Sequence, residues 1–246
     1  MKKIPEITFM FWVMKICATT LGETAGDLLS MTLNVGYGLS SLILMGFFLA
    51  TLAIQLAAHR YWPPLYWGVI LSTSTAGTTM SDFMDRTLEL GYVRGTLLLL
   101  AVLGATFAGW RATGKSLAVD QVMSRRTEVF YWSAILISNT LGTALGDFLA
   151  HSSGLGFAGG ALLVAALLLL VVLASLFTRI SRVALFWMAF VLTRPFGATM
   201  GDVLTKSPDE GGLGFGTIGS SLILGGLLAG LVAFAMWSGR KRALRG

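Results

Sequence analysis

The stretch "TLGETAGD" (20–27) interrupts an otherwise apolar segment and sets Glu23 and Asp27 one helical turn apart. A carboxylate at the centre of a bilayer costs at least about 2.5–3.5 kcal/mol, so it needs a partner, a water-filled cavity or a function. The stretch returns as "TAGTTMSD" (75–82), "TLGTALGD" (140–147) and "RPFGATMGD" (194–202). Fifteen residues before each aspartate stands a tryptophan behind a second aromatic: Phe11-Trp12, Tyr66-Trp67, Tyr131-Trp132 and Phe186-Trp187. Each copy runs on into a glycine-aromatic pair: Gly36-Tyr37, Gly91-Tyr92, Gly156-Phe157 and Gly214-Phe215. The aspartates are 55, 65 and 55 residues apart, and Asp27 to Asp147 equals Asp82 to Asp202 at 120. A two-helix unit duplicated twice explains that arithmetic.

Outside these motifs the chain is strongly apolar. Of its 246 residues 55% are hydrophobic and 12% charged, and runs such as 38–58 and 159–177 are long enough to cross about 30 Å of hydrocarbon. The pattern predicts an all-α integral membrane protein of eight transmembrane helices: 8–33, 38–58, 64–88, 92–110, 128–152, 156–178, 183–206 and 214–238. These form four parallel two-helix repeats in two duplicated halves, 1–110 and 128–246, joined by a basic cytoplasmic linker at 111–127. The N-terminal segment lacks a small-residue cleavage site and reads as a first span, not as a removed signal peptide.

Charge placement sets the orientation. Lys2, Lys3, Arg60, Arg111, Lys115, Arg125, Arg126, Arg179, Arg182, Arg240, Lys241, Arg242 and Arg245 fall on the side of the N-terminus, and only Arg86, Arg94 and Lys206 on the other. This asymmetry predicts cytoplasmic N- and C-termini. The net charge of +6 is therefore a topology signal, the tail 239–246 an anchor to anionic lipid, and nucleic acid is not an expected partner. The expected partners are the bilayer and a small ion or molecule, with a homo-oligomer left open. The tryptophans at 12, 67, 132 and 187 are expected in the cytoplasmic aromatic belt.

Fifteen helical residues rise about 22 Å, so the four aspartates should share one level near the outer end. Positions four and eight before each aspartate fall on its face. The stripes are Thr19-Glu23-Asp27, Ser74-Thr78-Asp82, Asn139-Thr143-Asp147 and Arg194-Ala198-Asp202. This polarity suits four odd-numbered helices around an ion-holding cavity, with apolar even-numbered helices outside. Glycine pairs such as Gly22/Gly26 and Gly142/Gly146 permit close helix approach.

Two readings of the aspartates stand side by side. Arg86, His151 and Lys206 follow Asp82, Asp147 and Asp202 by four residues and could neutralise them as structural groups. Asp27 has no such neighbour, so Glu23 and Asp27 need an external cation, a shared proton or Arg194. Of the remaining charges, Lys15 is expected to snorkel or pair, and Asp85, Arg86 and Glu89 to form a solvated outer cluster. Residues 206–214 read as a loop, and Pro195 as a kink beside the site.

The repeated T-x-G-x-T-x-G-D pattern resembles a family of uncharacterised bacterial inner-membrane proteins with repeated motifs. That resemblance implies a multi-span bacterial protein and no particular activity. "GETAGD" is also similar to the Glu-x-Gly-Asp motifs of small duplicated cation exporters. It differs in the Asp–Glu spacing, in lacking the following basic residue, and in lying in parallel repeats.

The residues lead to a secondary transporter, an exporter of a hard divalent cation such as manganese, calcium or magnesium. Oxygen donors from Asp, Glu, Thr, Ser and Asn match such ions. Glu23 and Asp27 are the primary metal ligands, with Asp82, Asp147 and Asp202 completing the ion site or relaying protons. Thr19, Ser74, Thr78, Asn139, Thr143 and Arg194 form the supporting stripe, Arg194 as a charge competing with the ion. The alternatives are a transporter of a small organic anion on Arg194, Lys206 and His151, or a non-transporting scaffold or sensor. One cysteine (Cys17) and two histidines make no soft-metal site, and no hydrolase, metalloprotease or nucleotide motif marks an enzyme or a resident cofactor.

Overall fold

Polar residues on alternate helices decide which helices go inside. A computed structural model describes residues 3–119 and 124–243, the last four of these by backbone alone. Lys2 and Arg245 of the charge count, and parts of the linker and tail, lie outside the described residues. Eight long helices follow one another: α1 (Phe9–Asp27), α2 (Tyr37–Ala57), α3 (Pro63–Asp82), α4 (Tyr92–Ala112), α5 (Arg125–Asp147), α6 (Gly156–Phe177), α7 (Arg182–Thr205) and α8 (Gly216–Ala243). There is no strand among the described residues.

α1, α3, α5 and α7 form a closed inner ring, each packing on the next and α7 returning to α1. Each outer helix packs on the inner helix of the following repeat: α2 on α3, α4 on α5, α6 on α7, and α8 back on α1. The interlocking comes from the repeat itself, since no unit covers its own inner helix. At one such seam the Thr51 and Ser72 hydroxyls lie 3.0 Å apart.

The first motif glycine of each repeat is where the ring closes. A Cβ on Gly22 would overlap Ser74, one on Gly77 would meet Asn139, one on Gly142 would overlap Arg194, and one on Gly197 would meet Thr19. These are the first stripe residues of the neighbouring repeat, so one glycine-to-stripe contact is used four times around the ring. Gly36, Gly91, Gly156 and Gly214 reverse the chain between helices with φ of +80°, +71°, +67° and +71°, a region that L side chains avoid.

Among the described residues six helices are long and apolar enough to cross a membrane: α2, α4, α5 with its following turn, α6, α7 and α8. α1 and α3 fall short of the eight expected. Lys15, Glu23 and Asp27 in α1 and the Thr, Ser and Gly content of both helices lower their hydropathy, and their neighbours enclose the residues responsible: Lys15, Glu23, Asp27, Thr19, Ser72, Thr73 and Ser74 are all buried. The outer helices turn Leu42, Leu97, Leu162 and Leu222 outward, the exterior of a multi-pass membrane protein.

The tryptophans depart from the expected belt. Of the four repeat tryptophans, Trp67, Trp132 and Trp187 are buried and Trp12 is partly exposed. The leading aromatic of each repeat packs on the tryptophan of the next: Phe11 on Trp67 (5.6 Å between centroids), Tyr66 on Trp132 (5.6 Å), Tyr131 on Trp187 (6.1 Å) and Phe186 on Trp12 (5.7 Å). Because a leading aromatic and its tryptophan are adjacent in sequence, they point to neighbouring grooves and close a ring of eight. Tyr66 and Tyr131 hydroxyls lie 2.7 Å apart inside it. The layer fills the end of the bundle opposite the aspartates.

Candidate functional site

Each of the first three aspartates ends its α-helix: Asp27, Asp82 and Asp147 are followed by π-helical turns at Leu28–Thr32, Phe83–Thr87 and Phe148–Ser152. Asp202 occupies the same place in α7, which continues to Thr205. π-Helical turns are rare and are found frequently at functional sites. All four aspartates and Glu23 are at most 4% exposed.

The aspartates are held in two cation-bridged pairs. Arg86 lies 3.1 Å from Asp82 Oδ1 through Nε and 3.6 Å from Asp147 Oδ2 through Nη2, spanning α3 and α5. Lys206 Nζ lies 3.4 Å from Asp202 Oδ1 and 3.5 Å from Asp27 Oδ2, spanning α7 and α1. The pairs communicate, since Asp82 and Asp202 are each within electrostatic reach of Asp27, Asp147 and Glu23. Asp27 thus has a cation after all, donated by another repeat. His151 is not the partner of the Asp147 carboxylate: its Nδ1 is 3.1 Å from the Asp147 carbonyl oxygen, and its ring stacks on Tyr92.

One turn deeper, Glu23 Oε2 reaches the axis. It accepts from Thr78 Oγ1 on α3 (3.2 Å) and Thr143 Oγ1 on α5 (3.3 Å), and it pairs with Arg194 Nη2 on α7 (2.9 Å). Arg194 also donates to both threonine hydroxyls and to the carbonyls of Thr19 and Ser74. This arginine of α7 is fully buried and fixed from the other three inner helices, so it is the counter-ion of Glu23 and not a free competitor for an ion.

Below that level the stripe turns from site to scaffold. The Thr19 hydroxyl caps carbonyls of α1 and reaches that of Thr193, joining α1 to α7. Ser74 offers its carbonyl to Arg194, while its hydroxyl is buried without a hydrogen-bond partner among the described residues. Asn139 donates to Thr73 and accepts from Lys15 at 3.4 Å. Lys15 does not snorkel: it is fully buried, with Nζ 4.1 Å from the Phe190 ring centre. At the outer end Asp85 is buried as well, accepting from Ser81 and pressed against Gly95, so the expected solvated cluster of Asp85, Arg86 and Glu89 does not form.

Three carboxylates are close enough to share one ion. Glu23, Asp27 and Asp202 each place an oxygen within 4.8 Å of the other two. Asp82 Oδ2 is buried and accepts no hydrogen bond among the described residues. Sequence reasoning proposed all four of these residues but missed the bridging role of Arg86 and Lys206. Their separation of 120 residues, the same as that between the aspartates they serve, was the available signal.

No curated protein and no solved structure matches the chain. A family model does, in four consecutive copies at residues 10–61, 65–116, 130–181 and 185–241, each holding one inner and one outer helix. Those four matches cover most of the sequence, and the chain belongs to the family described as Repeat of Unknown Function (DUF347).

Proposed function

We propose that this protein is a secondary membrane transporter for a hard divalent cation such as manganese, calcium or magnesium, bound by Glu23, Asp27 and Asp202. The observation that carries this reading is the approach of their three carboxylates to within 4.8 Å of one another in a buried position. Carboxylate oxygens backed by the Thr78 and Thr143 hydroxyls are the donors that hard ions prefer. Charge supports the same substrate. Five carboxylates at this level face Arg86, Lys206 and Arg194, and full ionisation leaves two negative charges, matching one divalent ion or two protons.

In this reading all eight helices cross the inner membrane, both ends are cytoplasmic, and the two halves meet through the linker at 111–127. The aspartates then face the outer side, and the aromatic layer seals the inner one. Export of the cation against returning protons fits a site that needs two positive charges in either state. The organic-anion alternative has less to stand on, because Arg194 and Lys206 are engaged by carboxylates and His151 by a carbonyl and Tyr92.

The test is reconstitution into proteoliposomes with manganese, calcium and magnesium in parallel, and dicarboxylates as control. Divalent flux that disappears in Asp27→Asn is the expected result. Dicarboxylate flux with no response to any of the three metals would replace the cation by an anion.

A further inference from the structure

Three cations hold the carboxylates, and they are not held alike. Arg194 is sealed in the centre with five polar partners. Arg86 is tied by Asp82, Asp147 and a 3.2 Å donation to the Tyr37 hydroxyl, with its guanidinium over the Tyr37 ring. Lys206 pairs, among the described residues, with Asp27 and Asp202 alone, at 3.5 and 3.4 Å, and lacks the aromatic and hydroxyl contacts that Tyr37 gives Arg86. An ammonium on a four-carbon stem swings freely where a guanidinium fork would be held in plane.

The backbone under Lys206 is fixed, so that movement belongs to its side chain. Its N–H donates to the Asp202 carbonyl and its carbonyl accepts from Gly214 at 2.8 Å. The Ser207–Gly214 segment, which contains the three residues by which the fourth repeat exceeds the others, folds back over it through a turn at Pro208–Glu210. A Cβ on Gly212 would overlap the Lys206 carbonyl oxygen. The fourth repeat thus sets one positive charge, on a flexible four-carbon stem, upon a backbone held by hydrogen bonds.

We infer that Lys206 is a tethered stand-in for the transported cation: its ammonium occupies the Asp27–Asp202 bridge when the site is empty and swings outward when the ion arrives. This inference rests on the divalent-cation reading of the same carboxylates. A further feature supports it. Two of the three clustered ligands, Asp27 and Asp202, are the two that Lys206 bridges. A lysine that leaves with the ion's arrival keeps the two aspartates from being left bare, so neither state exposes an uncompensated buried pair.

The experiment uses the full chain in nanodiscs with manganese chloride as the probe. Calorimetry should show tighter manganese binding by about tenfold in Lys206→Gln, since a like charge close to the site is gone. Lys206→Arg should bind more weakly than wild type, because a fork that engages both carboxylates leaves less readily. In the wild-type protein, acylation of Lys206 followed by mass spectrometry should quicken several-fold at saturating manganese, while the exposed Lys115 reacts at a constant rate. That measurement decides the matter if the variants do not fold. Wild-type binding that is lost in Asp27→Asn, with no change of Lys206 acylation, would overturn the stand-in and leave the cation site. Absence of manganese binding, or equal binding by wild type and Asp27→Asn, would overturn the site and the stand-in together.

Discussion

Arg194 Nη2 lies 2.9 Å from Glu23 Oε2 at the level where all four inner helices meet the axis. A buried ion pair contributes little net stability when intact, but removing one partner leaves a bare charge at a cost of about 3–5 kcal/mol. Arg194→Gln should therefore destabilise the protein by that order and not merely relieve repulsion on a bound ion. Adding Glu23→Gln should recover most of the loss, because the two amides and the Thr78 and Thr143 hydroxyls can satisfy one another. Thermal unfolding of both variants in the same detergent checks this, and a double variant no more stable than Arg194→Gln alone would separate the pair energetically.

Glycine substitutions should sort by ring position. Gly142→Ala would drive a methyl into Arg194 and Pro195, whereas Gly104 on α4 has nothing within 4 Å of an added Cβ. Overpacking costs about 1–3 kcal/mol, while Gly→Ala in an open helix gains up to about 1 kcal/mol. Melting temperatures should thus fall for Gly142→Ala and hold or rise for Gly104→Ala. Equal effects would mean that the ring is not closed through these glycines.

Much of this architecture was legible in the sequence. The fourfold motif gave the repeat, the polar stripes separated inner from outer helices, and Asp27, Asp82, Asp147 and Asp202 stood out through equal spacing. Pairing between helices was not legible. Intrahelical i,i+4 logic found Arg86–Asp82 and Lys206–Asp202 but assigned His151 to Asp147, because the rotation that offers Arg86 to α5 follows from ring packing and not from local spacing. Trp132 misled for a related reason. Tryptophan near a span end reads as an interfacial anchor, yet Tyr66 and Tyr131 on adjacent helices enclose it here.

Orientation is open to direct measurement. Alkaline phosphatase joined after Tyr37, Tyr92, Phe157 or Gly212 should be active, and after Arg60, Lys115, Arg182 or Arg242 inactive. The expectation follows from thirteen basic residues on one side against three on the other. An active fusion at Arg242 would reverse the C-terminus and break the even count of spans.

The aromatic layer makes a prediction about leakage. Trp132 touches both Tyr66 and Tyr131, whose hydroxyls share the 2.7 Å contact within the layer. Trp132→Ala removes a large buried ring and should cost about 3–5 kcal/mol. If the layer is the inner seal, that variant should also raise passive manganese leak in proteoliposomes without altering manganese affinity, because the carboxylates lie at the other end of the bundle. A lower affinity with unchanged leak would move the seal elsewhere.

The sharpest distinction concerns the four aspartates. As hydrogen-bonding glue they are equivalent by repeat, and replacing any one by asparagine should lower stability by a similar amount. As an ion site they divide by partner: Asp27 and Asp202 share Lys206 and cluster with Glu23, whereas Asp82 and Asp147 share Arg86. Asp27→Asn and Asp202→Asn each remove a formal charge from the coordination set and should weaken manganese binding about a hundredfold, the scale on which carboxylate count tunes oxygen-ligand sites. Asp82→Asn and Asp147→Asn leave all three ligands in place and should weaken it by no more than about tenfold, through long-range charge alone. Calorimetry on the four variants, run beside their unfolding curves, separates the alternatives. Four equal affinity losses, or stability losses with affinity unchanged, would make the ring of aspartates a structural lock between repeats, with Arg86 and Lys206 as its two bolts.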